Sequence, residues 1–354
     1  MSNQHAKLGS LVRICTGKLD ANANDTEGKF PFFTCAVEPL RIASYSYDCE
    51  CVLVAGNGDL NVKYYSGKFD AYQRTYIIES LNSAVLNVRY LFHFLERYLD
   101  KLRHMSIGGV IKYIKLGNLT DAELRLPPLP EQIRIAAILD QADALRVKRR
   151  EALAQLDSLT QSIFIEMFGD PATNPMGWGI EPFGDICENQ DAQRIPVKSS
   201  DRDGRQGAFP YYGASGIIDW VDDYIYEGER LLIGEDGANL LARATPVAYI
   251  AQGKYWVNNH AHVVAYSGRA NLRFLEFFIE QTDLKPYISG SAQPKLNRSN
   301  LDRIPVMLPP LEMQHEFANR IALVEKLKTS HRTSLTELDA LFVSLQHRAF
   351  RGEL

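Results

Sequence analysis

The 354-residue sequence predicts an α+β fold in which two mixed α/β domains alternate with two long helices. Two observations carry this prediction. Residues 126–132 (Leu-Pro-Pro-Leu-Pro-Glu-Gln) recur 182 positions later as residues 308–314 (Leu-Pro-Pro-Leu-Glu-Met-Gln). Each block opens a segment of about 40 residues with heptad spacing, and that segment repeats without insertion or deletion. The chain is therefore an A-B-A′-B′ arrangement, a pseudo-two-fold internal repeat.

The repeat also sets the predicted domain boundaries. Residues 1–130 and 172–312 form the A domains, residues 131–171 the first spacer helix, and residues 313–354 the second spacer helix with a C-terminal tail. The A domains match more loosely, because the separation changes from 179 to 186 and returns to 182 along them. A structural duplication alone does not explain why only the helical segments keep their length.

Each A domain mixes strand-like and helical segments. Short runs of β-branched and apolar residues, separated by Gly, Asn and Asp, predict strands over residues 51–54, 75–78, 231–233, 247–250 and 262–265. Helical spacing predicts helices over residues 86–102 and 272–280.

The spacer segments are predicted to be uninterrupted helices. Residues 131–168 contain no Pro or Gly, prolines precede them, and Gly169-Asp170-Pro171 follows. Two such amphipathic helices suit an antiparallel coiled coil; the alternative is that each helix packs only on its own domain. The predicted coiled-coil seam consists of Ile138, Leu145, Leu156, Leu159 and Ile163, and of Val324, Leu327, Leu338, Leu341 and Leu345.

Composition restricts the class of protein. The formal charge of −4 and the 45% hydrophobic content are typical of a soluble globular chain. They argue against a protein that coats nucleic acid by electrostatics alone, but they allow a local basic face. No apolar run reaches the length of a membrane helix, and the N-terminus lacks a signal-peptide pattern. We therefore expect a cytoplasmic protein without membrane association.

The five cysteines predict neither a disulfide framework nor a metal site. Their number is odd and they are thinly spread, which favours reduced thiols. Cys49-Glu50-Cys51 is interpreted as alternation in a strand, because no second Cys or His pair follows at zinc-ligand spacing.

Basic, glycine-containing segments recur in the same phase of both A domains. Residues 97–115 hold five Lys or Arg against one acid, and residues 285–303 hold four against one. Such loops can bring cations and backbone N–H groups to phosphates, and amides beside a cation suit base edges. The alternative is a solvated basic surface. The predicted DNA-binding residues are Lys68, Gln73, Arg74, Arg103, Gly108, Gly109, Lys112, Lys115, Lys254, Asn258, Asn259, His260, Gly290, Ser291, Gln293, Lys295 and Arg298.

Sequence motifs for catalysis are missing. The chain has no Walker A motif, no Gly-x-Gly-x-x-Gly fingerprint and no Asn/Asp-Pro-Pro-Tyr/Phe tetrapeptide. Glu27-Gly28-Lys29 has nuclease-like spacing, but no upstream Pro-Asp accompanies it. His260 and His262 are expected to share a strand face without a clear acidic or Cys third partner. We therefore predict no catalytic residue and no metal ligand.

Three motifs together resemble the specificity subunits of type I restriction-modification enzymes. They are the proline block of residues 126–132 before a long helix, Met167-Phe168-Gly169-Asp170-Pro171 at its end, and the C-terminal Ala349-Phe350-Arg351-Gly352-Glu353-Leu354. The A-B-A′-B′ layout extends the resemblance over the whole chain.

The resemblance implies that this chain reads DNA and that partner subunits carry out the chemistry. The A domains would be target recognition domains that each read half of a split double-stranded DNA sequence, and the helices would set the gap. Two methylation subunits would hold S-adenosylmethionine, and restriction subunits would use ATP and Mg, so no cofactor is expected in this chain. A coiled-coil scaffold without DNA reading, and a stand-alone nuclease or methyltransferase, are the alternatives.

Overall fold

The computed structural model describes residues 5–290 and 292–354. The chain divides into two compact units. Unit 1 runs to Glu151 and includes Thr333–Leu354, whereas unit 2 is Ala152–Arg332. Each long helix contributes one half to each unit, so the units differ from the sequence-based segments, in which every spacer helix stood apart.

Unit 1 contains a six-stranded sheet, a two-stranded ribbon and helices on one side of the sheet. The elements are β1 His5–Lys7, β2 Val12–Thr16, β3 Phe30–Phe33, β4 Leu40–Ile42, β5 Tyr47–Ala55, β6 Val62–Ala71, β7 Thr75–Ser80, α1 Val88–Met105, α2 Leu116–Thr120, β8 Glu123–Arg125 and the first part of α3 Leu129–Phe168. The sheet order is β2-β7-β5-β6-β3-β4, with only β3 and β6 parallel, and β1 pairs with β8.

Unit 2 has the same kinds of element, with its main sheet divided into two. Its elements are β9 Gly179–Pro182, α4 Phe183–Ile186, β10 Cys187–Asn189, α5 Ser199–Arg202, β11 Gln206–Gly213, β12 Gly216–Val221, β13 Tyr226–Glu227, β14 Arg230–Gly234, α6 Asn239–Ala242, β15 Ala248–Ala251, β16 Lys254–Val257, β17 Ala261–Tyr266, α7 Leu272–Gln281, α8 Arg298–Asp302, β18 Pro305–Leu308 and the first part of α9 Leu311–Arg351. The sheet orders are β10-β17-β14-β15 and β12-β11-β16-β13, and β9 pairs with β18.

The domain helices begin where asparagine caps them. The Asn87 side chain accepts a hydrogen bond from the backbone N–H of Tyr90 at the start of α1, and Asn271 does the same for the N–H groups of Arg273 and Phe274 in α7. An N-cap of this kind satisfies a backbone donor that has no partner within the helix. The predicted helices and strands overlap α1, α7, β5, β7, β14, β15 and β17. Their bounds agree to within two residues, except that β5 begins four residues earlier and α1 ends three residues later than predicted.

The two long helices are continuous, as the sequence predicted. Helix α3 begins at Leu129 because Pro130 fits the first turn, where its missing N–H would have no helical partner. It ends at Phe168, before Gly169 with φ +82°, and α9 ends before Gly352 with φ +80°. Both glycines adopt the left-handed conformation that is common after a helix.

Within unit 1 the two long helices run in opposite directions. Arg146 Nε donates to Asp339 Oδ1 at 2.6 Å, and about three helical turns earlier on α3 Arg134 Nη2 donates to the Leu354 carbonyl at 2.7 Å. The residue number thus rises along one helix as it falls along the other.

The same direction holds within unit 2. Lys328 Nζ lies 2.9 Å from Asp157 Oδ1, and the Phe168 and Phe317 rings lie 5.4 Å apart between centroids. Together with the two mixed α/β domains, this arrangement fits the predicted antiparallel coiled coil.

The predicted seam needs correction at four leucines. Leu145, Leu159, Leu327 and Leu341 are each 45–52% exposed, and Leu145 borders an open cavity of about 380 Å³. The helix positions with the deepest burial instead face the domain cores, because each domain sheet and its helix cover one end of both long helices. They are Ile135, Ala136 and Leu139 with Ala349 in unit 1, and Phe164 and Phe168 with Phe317 and Ile321 in unit 2.

Cys49 and Cys51 lie in β5, which confirms the interpretation of this pair as strand alternation. Burial raises the pKa of the Cys49 thiol to about 11, so it stays protonated at neutral pH. Within residues 5–290 and 292–354, no helix combines the length and apolarity needed to span a bilayer.

Candidate nucleic-acid interface

Each unit presents one short hairpin loop after its domain helix. We name residues 107–113 apical loop 1 and residues 289–295 apical loop 2. The ends of loop 1 are joined by two backbone hydrogen bonds between Ile107 and Tyr113, with N···O distances of 3.0 and 2.8 Å. The ends of loop 2 are joined in the same way between Ser289 and Lys295, at 2.9 and 2.8 Å.

Apical loop 1 is fixed to the turn that follows β5. The Gly58 N–H donates to the Lys112 carbonyl at 2.9 Å, and the Ile114 N–H donates to the Gly56 carbonyl at 2.9 Å. The Gly56 N–H in turn donates to the Arg74 carbonyl at 2.8 Å. These bonds link the loop to the ends of two strands, so its backbone position is set by the sheet.

Apical loop 2 has the same connections in unit 2. The Gly237 N–H donates to the Pro294 carbonyl at 3.0 Å, the Leu296 N–H to the Glu235 carbonyl at 2.8 Å, and the Glu235 N–H to the His260 carbonyl at 2.8 Å. The backbone scaffold is therefore duplicated even though the side chains differ.

One glycine in each loop is required by the backbone. Gly108 has φ +121°, and a Cβ there would lie 2.4 Å from the Ile111 carbonyl oxygen. Gly290, which is 182 positions later, has φ +82°, and a Cβ there would lie 2.6 Å from the Gln293 carbonyl oxygen. Both positions therefore exclude larger residues for reasons of conformation and space.

The side chains beside the two loops differ in chemistry. In unit 1, a cavity of about 480 Å³ is lined by Asn57, Arg74, Ile111 and Tyr113. In unit 2, the position matching Asn57 is Asp236, whose carboxylate lies 2.9 Å from His260 Nδ1. One apex thus offers an amide and a guanidinium, and the other an acid–imidazole pair.

Beneath apical loop 2 a buried histidine holds the chain that leaves the loop. His262 Nε2 lies 2.8 Å from the Leu296 carbonyl, and Nδ1 lies 2.6 Å from Asp191 Oδ2. Both partners are oxygen acceptors, so the ring pairs with both only when each nitrogen carries a proton. The matching residue of unit 1 is Tyr76, whose hydroxyl donates to the Ile114 carbonyl at 3.3 Å.

Charged side chains complete the support of loop 2. Glu235 Oε2 accepts from Arg194 Nη1 at 2.7 Å, and Glu235 Oε1 lies 3.1 Å from Lys295 Nζ. Burial would raise the pKa of Glu235, but bonds from Arg194 and Lys295 and the charge of His262 outweigh it and hold the pKa below its usual value. Asp191 likewise has a lowered pKa, because bonds from His262 and the Val263 N–H outweigh its burial.

The expectation that His260 and His262 share a strand face was wrong, because His260 lies in the turn before β17 and only His262 lies in that strand. Each ring contacts a different carboxylate, and among the described residues no group of three His, Cys, Asp or Glu side chains could hold a metal ion. His260 pairs with Asp236, and His262 pairs with Asp191, which lies 71 residues away in sequence. Sequence spacing could not reveal the second pair, because β10 brings Asp191 to β17 only through sheet pairing.

The apex of each unit gathers some of the predicted DNA-binding residues. In unit 1 these are Arg74, Gly108, Gly109, Lys112 and Lys115, and in unit 2 they are Asn259, His260, Gly290, Gln293 and Lys295. All of these residues are exposed, although Lys295 pairs with Glu235 and His260 pairs with Asp236. Ser291 lies outside the described residues.

Other predicted residues are placed elsewhere or already have partners. Lys68 and Lys254 extend over the rings of Tyr45 and Tyr224, with 4.8 and 4.5 Å between Nζ and ring centroid. Lys68 belongs to β6 and Lys254 to β16, so each lies in a strand and not in an apical loop.

Three more candidates are engaged within the protein, and one is buried. Gln73 donates to Asp20, Arg103 pairs with Asp100, and Arg298 pairs with Asp302. Asn258 is only 5% exposed and accepts from the His260 N–H, so it shapes the turn and cannot present its amide to a base edge. Its assignment as a DNA-binding residue is corrected.

Some apex residues were not predicted from the sequence. Asn57, Val110, Ile111, Tyr113 and Asp236 all lie at or beside the apical loops. Aligning the two repeats segment by segment would have found them. The segments that meet at each apical loop match at separations of 179, 186 and 182 residues, in chain order.

Comparison with known proteins identifies the family. A profile described as "Type I restriction modification DNA specificity domain" matches residues 3–156 and 175–340, which is most of the chain in two copies. The chain belongs to this family. The two matched regions correspond to the two repeats, each of which carries one apical loop.

Individual members give the same result. The EcoDI specificity subunit of a type I restriction enzyme from Escherichia coli is 26% identical over 98% of this chain and 88% of its own length. A putative type I specificity subunit from Haemophilus influenzae is 39% identical over 39% of this chain and 34% of its own length. The fold resembles the crystal structure of an S subunit from M. genitalium, with TM-score 0.67, 17% identity and coverage of 98% and 96% of the two chains.

Proposed function

We propose that this chain is the DNA-reading subunit of a type I restriction-modification complex and that its two apical loops read the two halves of a split target. The observation that carries the proposal is the duplicated loop scaffold with unlike side chains. Two half-sites of different sequence have the same duplex backbone, so both loops need the same scaffold to approach it. Their bases differ, so the side chains that contact the bases must differ too.

The chemistry at each apex suits this task. Arg74, Lys112 and Lys115 in unit 1 place cations near an exposed loop, where they can contact phosphates. The Asn57 amide beside Arg74 has the donor and acceptor groups that read purine edges in the major groove. Unit 2 offers Gln293 and the His260–Asp236 pair at the matching positions.

We also propose that the chain supplies recognition and no chemistry of its own. In the part of unit 2 that the structure describes, the rings of His260 and His262 pair with carboxylates and a backbone carbonyl, and no serine, threonine or cysteine side chain hydrogen-bonds to either ring. Two methylation subunits with S-adenosylmethionine, and restriction subunits with ATP and Mg, are the partners that the family membership suggests.

The two long helices would fix the gap between half-sites. At about 1.5 Å per residue, the 40 residues of α3 form a rod of roughly 60 Å. Loss of residues would change both the length and the rotation of such a rod, which explains why the helical segments keep their length while the domains vary.

The test is to express the chain with its methylation subunits and to map methylated adenines by long-read sequencing. We expect a two-part consensus with a constant gap. A variant in which residues 107–113 are replaced by residues 289–295 should change one half of that consensus and leave the other half. Methylation without sequence preference, or binding partners without DNA selection, would favour the coiled-coil scaffold.

A further inference from the structure

The tip of apical loop 1 is apolar and open to solvent. Val110 is fully exposed and Ile111 is 62% exposed, and they follow each other at the turn of the hairpin. Burial of side chains like these stabilises folded proteins, so two adjacent β-branched residues at a loop tip contribute nothing to the core. Such exposure is typical of surfaces that become covered on binding.

The exposure is imposed by a fixed backbone. The paired ends of the loop, its bond to Gly58 and the positive φ of Gly108 define the turn from which Val110 and Ile111 project. The tip is therefore ordered before it meets a partner, so binding does not carry the entropic cost of ordering the loop.

The charge around the tip indicates what kind of partner covers it. Lys112 is the next residue and is exposed, and Arg74 borders the same cavity as Ile111. An apolar tip between cations matches a DNA groove, where phosphates flank the base edges.

The second repeat excludes a partner that is shared by both units. Loop 2 has the same backbone bonds, but its tip carries Ala292 and Gln293 where loop 1 carries Val110 and Ile111. If both loops docked on identical partner subunits, the two tips should have the same chemistry. Loop tips with different side chains on the same backbone suit a ligand whose chemistry differs between the two sites. The two halves of a split DNA target differ in base sequence and are such a ligand.

We infer that Val110 and Ile111 read thymine in the first half-site by contact with its 5-methyl group in the major groove, whereas Gln293 reads the second half-site by hydrogen bonding. The 5-methyl of thymine is the apolar group that base edges offer to a side chain. The inference rests on the proposed function and adds the base and the groove to it.

The test uses the complex with its methylation subunits and duplexes that carry the mapped target. Each thymine of the half-site read by unit 1 is replaced singly by deoxyuridine, which lacks only the methyl group. We expect one or two replacements to weaken binding by about three- to fivefold, the effect of one methyl group leaving an apolar contact. Replacements in the other half-site should have less effect.

Two variants connect the methyl group to the loop tip. Val110→Ala and Ile111→Ala should weaken binding to the thymine duplex and reduce the difference between thymine and deoxyuridine. Lys112→Ala is the matched control: it should weaken binding to both duplexes equally, because a phosphate contact does not depend on the methyl group. Thermal unfolding should be unchanged in all three, since the side chains are exposed.

Three results would overturn the inference. They are a first half-site without thymine, binding that is insensitive to every deoxyuridine, and a Val110→Ala defect that is the same on both duplexes. The last result would indicate a wedge between base steps instead of a methyl contact. If the complex selects a split target in any of these cases, the proposed function survives; if it selects none, the proposed function fails first.

Discussion

The buried side chain of Gln132 accepts a hydrogen bond from the backbone N–H of Asn87, with 2.9 Å between Oε1 and N. Its amide nitrogen donates to the carbonyls of Pro127 and Val85, at 2.8 Å each. One side chain therefore ties the proline block, the start of α3 and the cap of α1 together. In unit 2, Gln314 makes the matching bonds to the Asn271 N–H and the Pro309 carbonyl, which gives a physical reason for the repeated glutamine.

Replacing Gln132 with Leu should lower the free energy of unfolding by roughly 2–3 kcal/mol, because buried backbone groups lose their partner. Gln141→Leu is the control, since Gln141 lies exposed on the same helix. Chemical denaturation of both variants measures the difference. Equal stability of the two variants would show that the Gln132 bonds contribute little.

Replacing His262 with Ala should destabilise the protein by about 3 kcal/mol, because Asp191 and the Leu296 carbonyl would stay buried without their shared donor. His260→Ala is the matched control, and it should cost at most about 1 kcal/mol because its pair with Asp236 is half exposed. Thermal or urea unfolding measures both. A His260 effect as large as that of His262 would contradict this account of the network.

Stability should fall in acid through Asp191 and Glu235. Their folded pKa values lie below the usual values of 3.8 and 4.5, so the unfolded chain takes up protons first as the pH falls. The contribution of these groups is complete above the usual values and is lost as the pH drops through the folded ones. Thermal midpoints between pH 3 and pH 6 should show the loss, and the double variant Asp191→Asn, Glu235→Gln should show a flatter profile. An unchanged slope in that variant would assign the acid sensitivity to other groups.

Gly108→Ala should reduce binding of the mapped DNA target about tenfold or more, because the added Cβ would force the loop to move from the Ile111 carbonyl. Gly109→Ala is the control: a Cβ there meets no atom within 4 Å and its φ is not in the left-handed region. Binding by the methylation complex measures both variants. Loss of affinity in the Gly109 variant alone would place the critical turn elsewhere.

A matched deletion tests the role of the helices as a ruler. Removing residues 151–154 from α3 and residues 331–334 from α9 keeps the Arg146–Asp339 and Lys328–Asp157 pairs on either side. Four residues span about 6 Å, so the mapped gap should shorten by about two base pairs. Deleting residues 151–154 alone is the control, and it should impair the protein because the two ion pairs no longer fit one register. A gap of unchanged length in the matched deletion would rule out the ruler.

The sequence determined much of the architecture because its signals are local or repeated. Helices α3 and α9 follow from heptad spacing and from the Pro and Gly residues at their ends. The repeat also predicted the glycines of both apical loops, because Gly108 and Gly290 occupy matching positions 182 residues apart. Each is required by the conformation of its own short loop, which is a local property of the chain. The sequence also predicted four residues that lie at the apical loops, because they belong to segments that recur in both A domains. They are Arg74, Lys112, Gln293 and Lys295.

The tertiary structure decided which faces and partners those residues have. Leu145 and Leu159 continue the heptad pattern and yet remain half exposed, because the domain cores cover a different face of α3. Asn258 resembles an exposed amide in the sequence but is buried in its turn, and Asp191 meets His262 only because β10 pairs with β17. Periodicity is a property of one segment, whereas burial and hydrogen bonding depend on segments that meet after the chain has folded.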